Sequence, residues 1–134
     1  MSDRSGDWLA QAERDLEQAR MSRGGRLFDW ACFAAQQAAE KAVKALHLRT
    51  GREGWGHVVR RLLEELPPEL GVTPELLDKA RLLDAHYVPT RYPNGHPEGA
   101  PREHYGELQA GEAIRHAEDI VDWCRKAMAG RARS

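Results

Sequence analysis

The chain is poor in the features that mark secreted, zinc-bound or membrane-spanning proteins. Among 134 residues there are two cysteines, Cys32 and Cys124, far apart and each without a neighbouring cysteine. That excludes a disulfide framework and a zinc motif, and fits two buried free thiols in a reducing compartment. No two histidines stand at helical ligand spacing, so a zinc enzyme is disfavoured; no metal and no cofactor are expected. No apolar run approaches membrane-spanning length, and residues 1–7 are charged where a signal peptide needs an apolar stretch. The expected location is cytoplasmic. An excess of charge is missing too: the formal net charge is −1. A global basic footprint is thereby excluded, and any contact with RNA has to be local. Convincing strand alternation, internal repeats and low-complexity tracts are also absent.

What is present is helical periodicity in a chain of ordinary domain size. A 41% hydrophobic and 31% charged composition suits a globular protein with charged faces. The expectation is one domain over residues 1–134, with 130–134 a frayed tail. Trp8, Ala12, Leu16 and Ala19 place a first helix from about Ser5 to Arg23, ended by a tight turn at Gly24-Gly25. A second, the spine, spans about Leu27 to Arg49 with Trp30, Ala34, Ala38, Ala42 and Ala45 as one stripe. Its polar positions Gln36, Gln37, Glu40, Lys41 and Lys44 read as a solvated face, with Glu40 and Lys44 paired four apart. A glycine-rich connector over 51–57 leads to a short helix from His57 to Leu66, stopped by Pro67-Pro68. Thr73-Pro74-Glu75 opens the next helix, which Pro89 ends near Tyr87. The last runs from Leu108 to Ala129, with Ala113, Ala117, Ile120, Cys124 and Ala127 three and four apart. The sum is an all-α, up-and-down bundle of four main helices and one short one.

About twenty residues before the last helix break this periodicity, a length often associated with function. Pro89, Pro93, Pro97 and Pro101 recur every fourth position and stiffen the segment. Asn94-Gly95 marks a turn that can bring His96 back toward Arg91. An arginine fork matches two phosphate oxygens. A histidine near neutrality can take the proton of a ribose 2′-hydroxyl or give one to a leaving 5′-oxygen. Together they suffice for metal-free RNA cleavage. Tyr87, Tyr92 and Tyr105 can stack on bases or donate to phosphate, and Arg102 and His104 add polar groups beyond. The bland alternatives are an Arg91 paired with Asp84 or Glu98, and a His96 solvated in its turn.

Two stretches together resemble the HEPN family of all-helical domains. Residues 34–45, Ala-Ala-Gln-Gln-Ala-Ala-Glu-Lys-Ala-Val-Lys-Ala, are similar to the family's Gln-Ala-x-Glu-Lys-x-x-Lys-Ala helix. Tyr87-Val88-Pro89-Thr90-Arg91-Tyr92-Pro93 is similar to its Tyr-Ile-x-x-Arg-Tyr-Pro segment. His57 and the stretch from Ala113 to Ile120 fit as well. The resemblance implies a homodimer in which the Arg-to-His segments of two copies meet at a cleft. It also implies a metal-independent ribonuclease toxin neutralised by a minimal nucleotidyltransferase antitoxin. On that pattern Arg91 holds the scissile phosphate, His96 serves as acid and base, and Gln37, Glu40 and Lys44 support the cleft. The alternative is a non-catalytic binding module, a dimeric partner or nucleotide-binding subunit of such a transferase.

Overall fold

A computed structural model of the protein describes residues 3–132. It is all-helical, with five α-helices and no strand among the described residues. They are α1 (Ser5–Gly24), α2 (Phe28–Arg49), α3 (Val59–Glu64), α4 (Pro74–Asp84) and α5 (Glu107–Ala132). Single 3-10 turns occupy Pro68–Leu70, Pro93–Gly95 and Pro101–Glu103. This is the up-and-down bundle of four main helices and one short one. Of the expected tail, 130–132 lie within the bounds of α5, and residues 133 and 134 fall outside the described ones.

The alanines of α2 decide the architecture. Ala31, Ala35, Ala38, Ala39, Ala42 and Ala45 are fully buried, against Ala12, Leu16 and Ala19 of α1 and Ala117, Ile120, Val121 and Cys124 of α5. Methyl side chains let helix backbones approach closely while keeping helix propensity high. Two aromatic residues depart from the expected stripes: Trp30 is 49% exposed and Trp8 is 37% exposed. Both sit where the apolar arc of their helix meets the surface, which a linear spacing rule does not resolve.

The helix ends show which local signals act. Thr73 caps α4, its hydroxyl accepting from the Leu76 N–H at 3.1 Å, with Pro74 in the first turn. α4 stops at Asp84, about a turn short of Tyr87. The turn between α1 and α2 follows Gly24-Gly25, yet the residue in the left-handed region is Arg26, at φ 63°. α3 is shorter than expected and leaves His57 outside it. Its first N–H groups are satisfied from across the chain, the Asp84 carboxylate accepting from Val59 at 2.6 Å and Arg60 at 3.1 Å. α3 and α4 thereby bring the connector, and His57 with it, over the polar positions of α2.

Candidate functional site

Those polar positions are not a solvated face. Gln36 is fully buried, the Glu40 side chain is 5% exposed and that of Lys44 is 14% exposed. Buried polar groups persist where partners satisfy them, and here they do. Glu40 Oε1 accepts from Gln36 Nε2 at 3.1 Å. Its Oε2 accepts from Lys44 Nζ at 3.1 Å and lies 3.0 Å from His57 Nδ1. Gln36 Nε2 also donates to the His57 carbonyl, and Gln37 Nε2 donates to Gln36 Oε1 at 2.7 Å. The expected solvated face is instead covered, a difference that four-apart polar spacing does not reveal because it is the same whether a segment or water lies over it.

Arg91 lies above this layer in a nest of aromatic rings. Its guanidinium carbon sits 4.2 Å from the centre of the Phe33 ring, 4.7 Å from Tyr87 and 5.2 Å from Tyr92. Nε donates to the Tyr87 carbonyl at 2.9 Å. No carboxylate among the described residues pairs with it. The expected alternative partner Asp84 is engaged with the start of α3. Cation–π contacts and one backbone bond therefore orient the fork and leave its terminal nitrogens available. The Tyr87 ring carries a second passenger: the His57 imidazole stacks on it at 4.6 Å, 17° from parallel.

His96 is held elsewhere. The 3-10 turn Pro93–Gly95 folds the loop back so tightly that a Cβ on Gly95 would lie 2.9 Å from Pro89 Cα. His96 Nε2 then donates to the Pro89 carbonyl at 2.6 Å, which fixes the proton on that nitrogen. Its ring stacks on His104 at 4.0 Å and meets Tyr105 edge-on at 5.8 Å. His104 Nε2 donates in turn to the Glu98 carbonyl at 2.7 Å. His96 and Arg91 thus belong to separate sets of contacts. Tyr105 packs against the core and the rings of His86 and His96, and burial pushes its phenol up from the ordinary value. Arg102 stands exposed in the turn Pro101–Glu103. Of the expected residues, the fold gathers Arg91, Tyr87 and Tyr92, and beneath them Gln37, Glu40 and Lys44. His96, Arg102 and Tyr105 occupy the adjoining stretch of loop. Phe33 and Asp84 were missed as site-builders, and His57 was noted without a role. Only the chain reversal at α3 brings His57 near Tyr87, thirty positions away.

The comparisons with known proteins decide the family. The HEPN domain model matches residues 5–127. The chain belongs to the HEPN domain family. This HEPN chain is 30% identical over 124 residues to a Methanocaldococcus jannaschii protein named “Putative toxin”, covering 86% of this chain and 82% of that one. Among solved structures it is similar to a Thermus thermophilus protein, 44% identical with a TM-score of 0.92, covering 94% of this chain and 99% of the other. An archaeal HEPN homologue is 42% identical, with a TM-score of 0.80 and coverage of 95% and 99%. A HEPN domain protein from Thermotoga maritima is 35% identical, with a TM-score of 0.75 and coverage of 92% and 98%.

Electrostatics separate groups that serve the HEPN fold from those that face outward. Burial pushes the Cys32 thiol up to about 12 and drives Cys124 higher still, so neither is a nucleophile near neutrality. Burial raises the Asp84 carboxyl, partly offset by the two backbone N–H groups it accepts from. Burial lowers the His86 imidazole, against the nearby charge of Glu112. No group of three or more His, Cys, Asp or Glu among the described residues is placed to hold a metal ion. No helix among them is long and apolar enough to cross a membrane. What the surface at Arg91 offers is an oriented cation, exposed aromatic area at Tyr92, and imidazoles.

Proposed function

We propose that this protein is a HEPN toxin that cleaves RNA without a metal ion and is neutralised by a nucleotidyltransferase antitoxin. The observation that carries the reading is Arg91: a guanidinium held by three aromatic rings and its Nε bond, with no carboxylate partner among the described residues. Such a fork suits a phosphodiester, donating to the phosphoryl oxygens on which negative charge grows as the 2′-oxygen attacks phosphorus. Tyr92, 50% exposed, offers a ring for a neighbouring base. His57, beside Tyr87, and His96, in the adjoining loop with its Nε2 bonded to the Pro89 carbonyl, are the candidate imidazoles for proton transfer. Gln37, Glu40 and Lys44 form the supporting layer, and a homodimer would set two such surfaces side by side. The relationship to a protein named as a toxin supports the biological half of the reading.

The test is cleavage of a mixed RNA pool by purified protein in EDTA. The expected products carry 2′,3′-cyclic phosphate ends, and Arg91→Ala lowers the rate by about 100-fold or more. Cleavage that requires an added metal, or an Arg91→Ala variant as fast as wild type, refutes it. A second reading, a non-catalytic partner subunit of the transferase, draws on one observation: His96 is fastened to the Pro89 carbonyl, with contacts apart from those of Arg91. That reading expects no growth arrest when the chain is expressed alone, whereas the toxin reading expects arrest that Arg91→Ala relieves.

A further inference from the structure

We infer that His57, oriented by the buried carboxylate of Glu40, is the general base beside Arg91. This assignment rests on the nuclease reading and names the group that starts its reaction. The Nδ1 of His57 faces Glu40 Oε2 at 3.0 Å, and a carboxylate only accepts, so Nδ1 carries a proton and, in the neutral ring, Nε2 is the nitrogen with the lone pair. Nε2 makes no hydrogen bond among the described residues, and the His57 side chain is 53% exposed. A carboxylate behind an imidazole whose far nitrogen faces outward is the arrangement that orients a proton acceptor in many unrelated sites.

The setting argues against a mere surface pair. Glu40 is 5% exposed on its side chain, and its remaining capacity is taken by Gln36 and Lys44, so its position is fixed. Tyr87 sets the other coordinate: its ring lies 4.6 Å from the His57 ring and 4.7 Å from the Arg91 guanidinium carbon. Base and phosphate clamp therefore both rest on one aromatic ring. His96 differs at each point. Its Nε2 proton is committed to the Pro89 carbonyl, its orienting partner is backbone, and its ring lies against His104.

In the step so assigned, His57 Nε2 takes the 2′-hydroxyl proton as that oxygen bonds to phosphorus. The bond from phosphorus to the 5′-oxygen breaks, and the leaving oxygen keeps the electron pair and takes a proton from water. The hydroxide so formed recovers the proton from His57. One strand end becomes a 2′,3′-cyclic phosphate and the other a 5′-hydroxyl. Lys44, Arg91 and the more distant Asp84 are the charged groups around the dyad besides Glu40 itself.

Steady-state cleavage by the full chain tests this with His57→Gln and His57→Phe, the latter keeping a ring on Tyr87. Both are expected to lower kcat by about 100-fold or more, leave KM within about threefold, and abolish the rise in rate with pH across the imidazole range. Glu40→Gln, a positioning change, is expected to lower kcat while retaining that rise. Wild-type kcat and pH profile in both His57 variants, with Arg91→Ala still inactive, overturn the assignment and leave the nuclease reading standing. Absence of cleavage by the wild type overturns the nuclease reading and this assignment with it.

Discussion

α2 buries two faces that could hardly differ more. One is a stripe of alanines, fully enclosed by α1 and α5. The other is Gln36, Glu40 and Lys44, enclosed by the connector and by His57. The alanine face tolerates no volume change but makes no demand on direction, since dispersion and apolar burial are non-directional. The polar face makes the opposite demand. Each donor and acceptor needs its own partner at its own angle, so this half of α2 specifies where the connector lies and how His57 is turned.

The comparison breaks first at Glu40. Glu40→Ala leaves the Lys44 ammonium enclosed without its carboxylate and Gln36 with one acceptor fewer. The expected loss is about 3 to 5 kcal/mol, read by chemical denaturation. Replacing both charges, Glu40→Leu with Lys44→Met, is expected to cost less than Glu40→Ala alone, because no unpaired charge remains. Next comes Ala38→Leu on the opposite face, where added methylenes push the neighbouring helices off α2. About 1 to 3 kcal/mol is expected, with no change in the pH dependence of stability. The smallest effect sharpens the boundary between the faces. Lys41 pairs with Asp15 at 2.6 Å but stands at the rim, its side chain 25% exposed. Lys41→Ala is expected to cost about 1 kcal/mol or less and to matter least in high salt. A Lys41 effect as large as that of Glu40 would erase the distinction between rim and interior.

Much of the fold was legible because its determinants are local. Thr73-Pro74 starts a helix by capping and a preset φ, Pro67-Pro68 stops one, and the alanine spacing of α2 marks a face for close packing. The candidate site was legible in part. Arg91 stands out in sequence because prolines surround it and a helix ends behind it. Its aromatic nest is only half local: Tyr87 and Tyr92 are neighbours in sequence, but Phe33 comes from α2. The turn at Asn94-Gly95 was legible as a reversal, while the partners His96 meets after it were not. His96 reaches the Pro89 carbonyl and His104, contacts that depend on how closely Gly95 approaches Pro89. The error over the polar residues of α2 has the same root, because amphipathic spacing reports which residues share a side and not what lies against it.

The sequence by itself determined the helices, their order and the HEPN membership, since periodicity, caps and prolines act over a few residues at a time. Only the tertiary structure decided which imidazole shares the Tyr87 ring with Arg91. Asp84 satisfies the first turn of α3 from 25 positions away, and Glu40 accepts from His57 across 17. Burial made both carboxylates seek those donors, and hydrogen-bond direction, which no one-dimensional pattern encodes, set the ring in place.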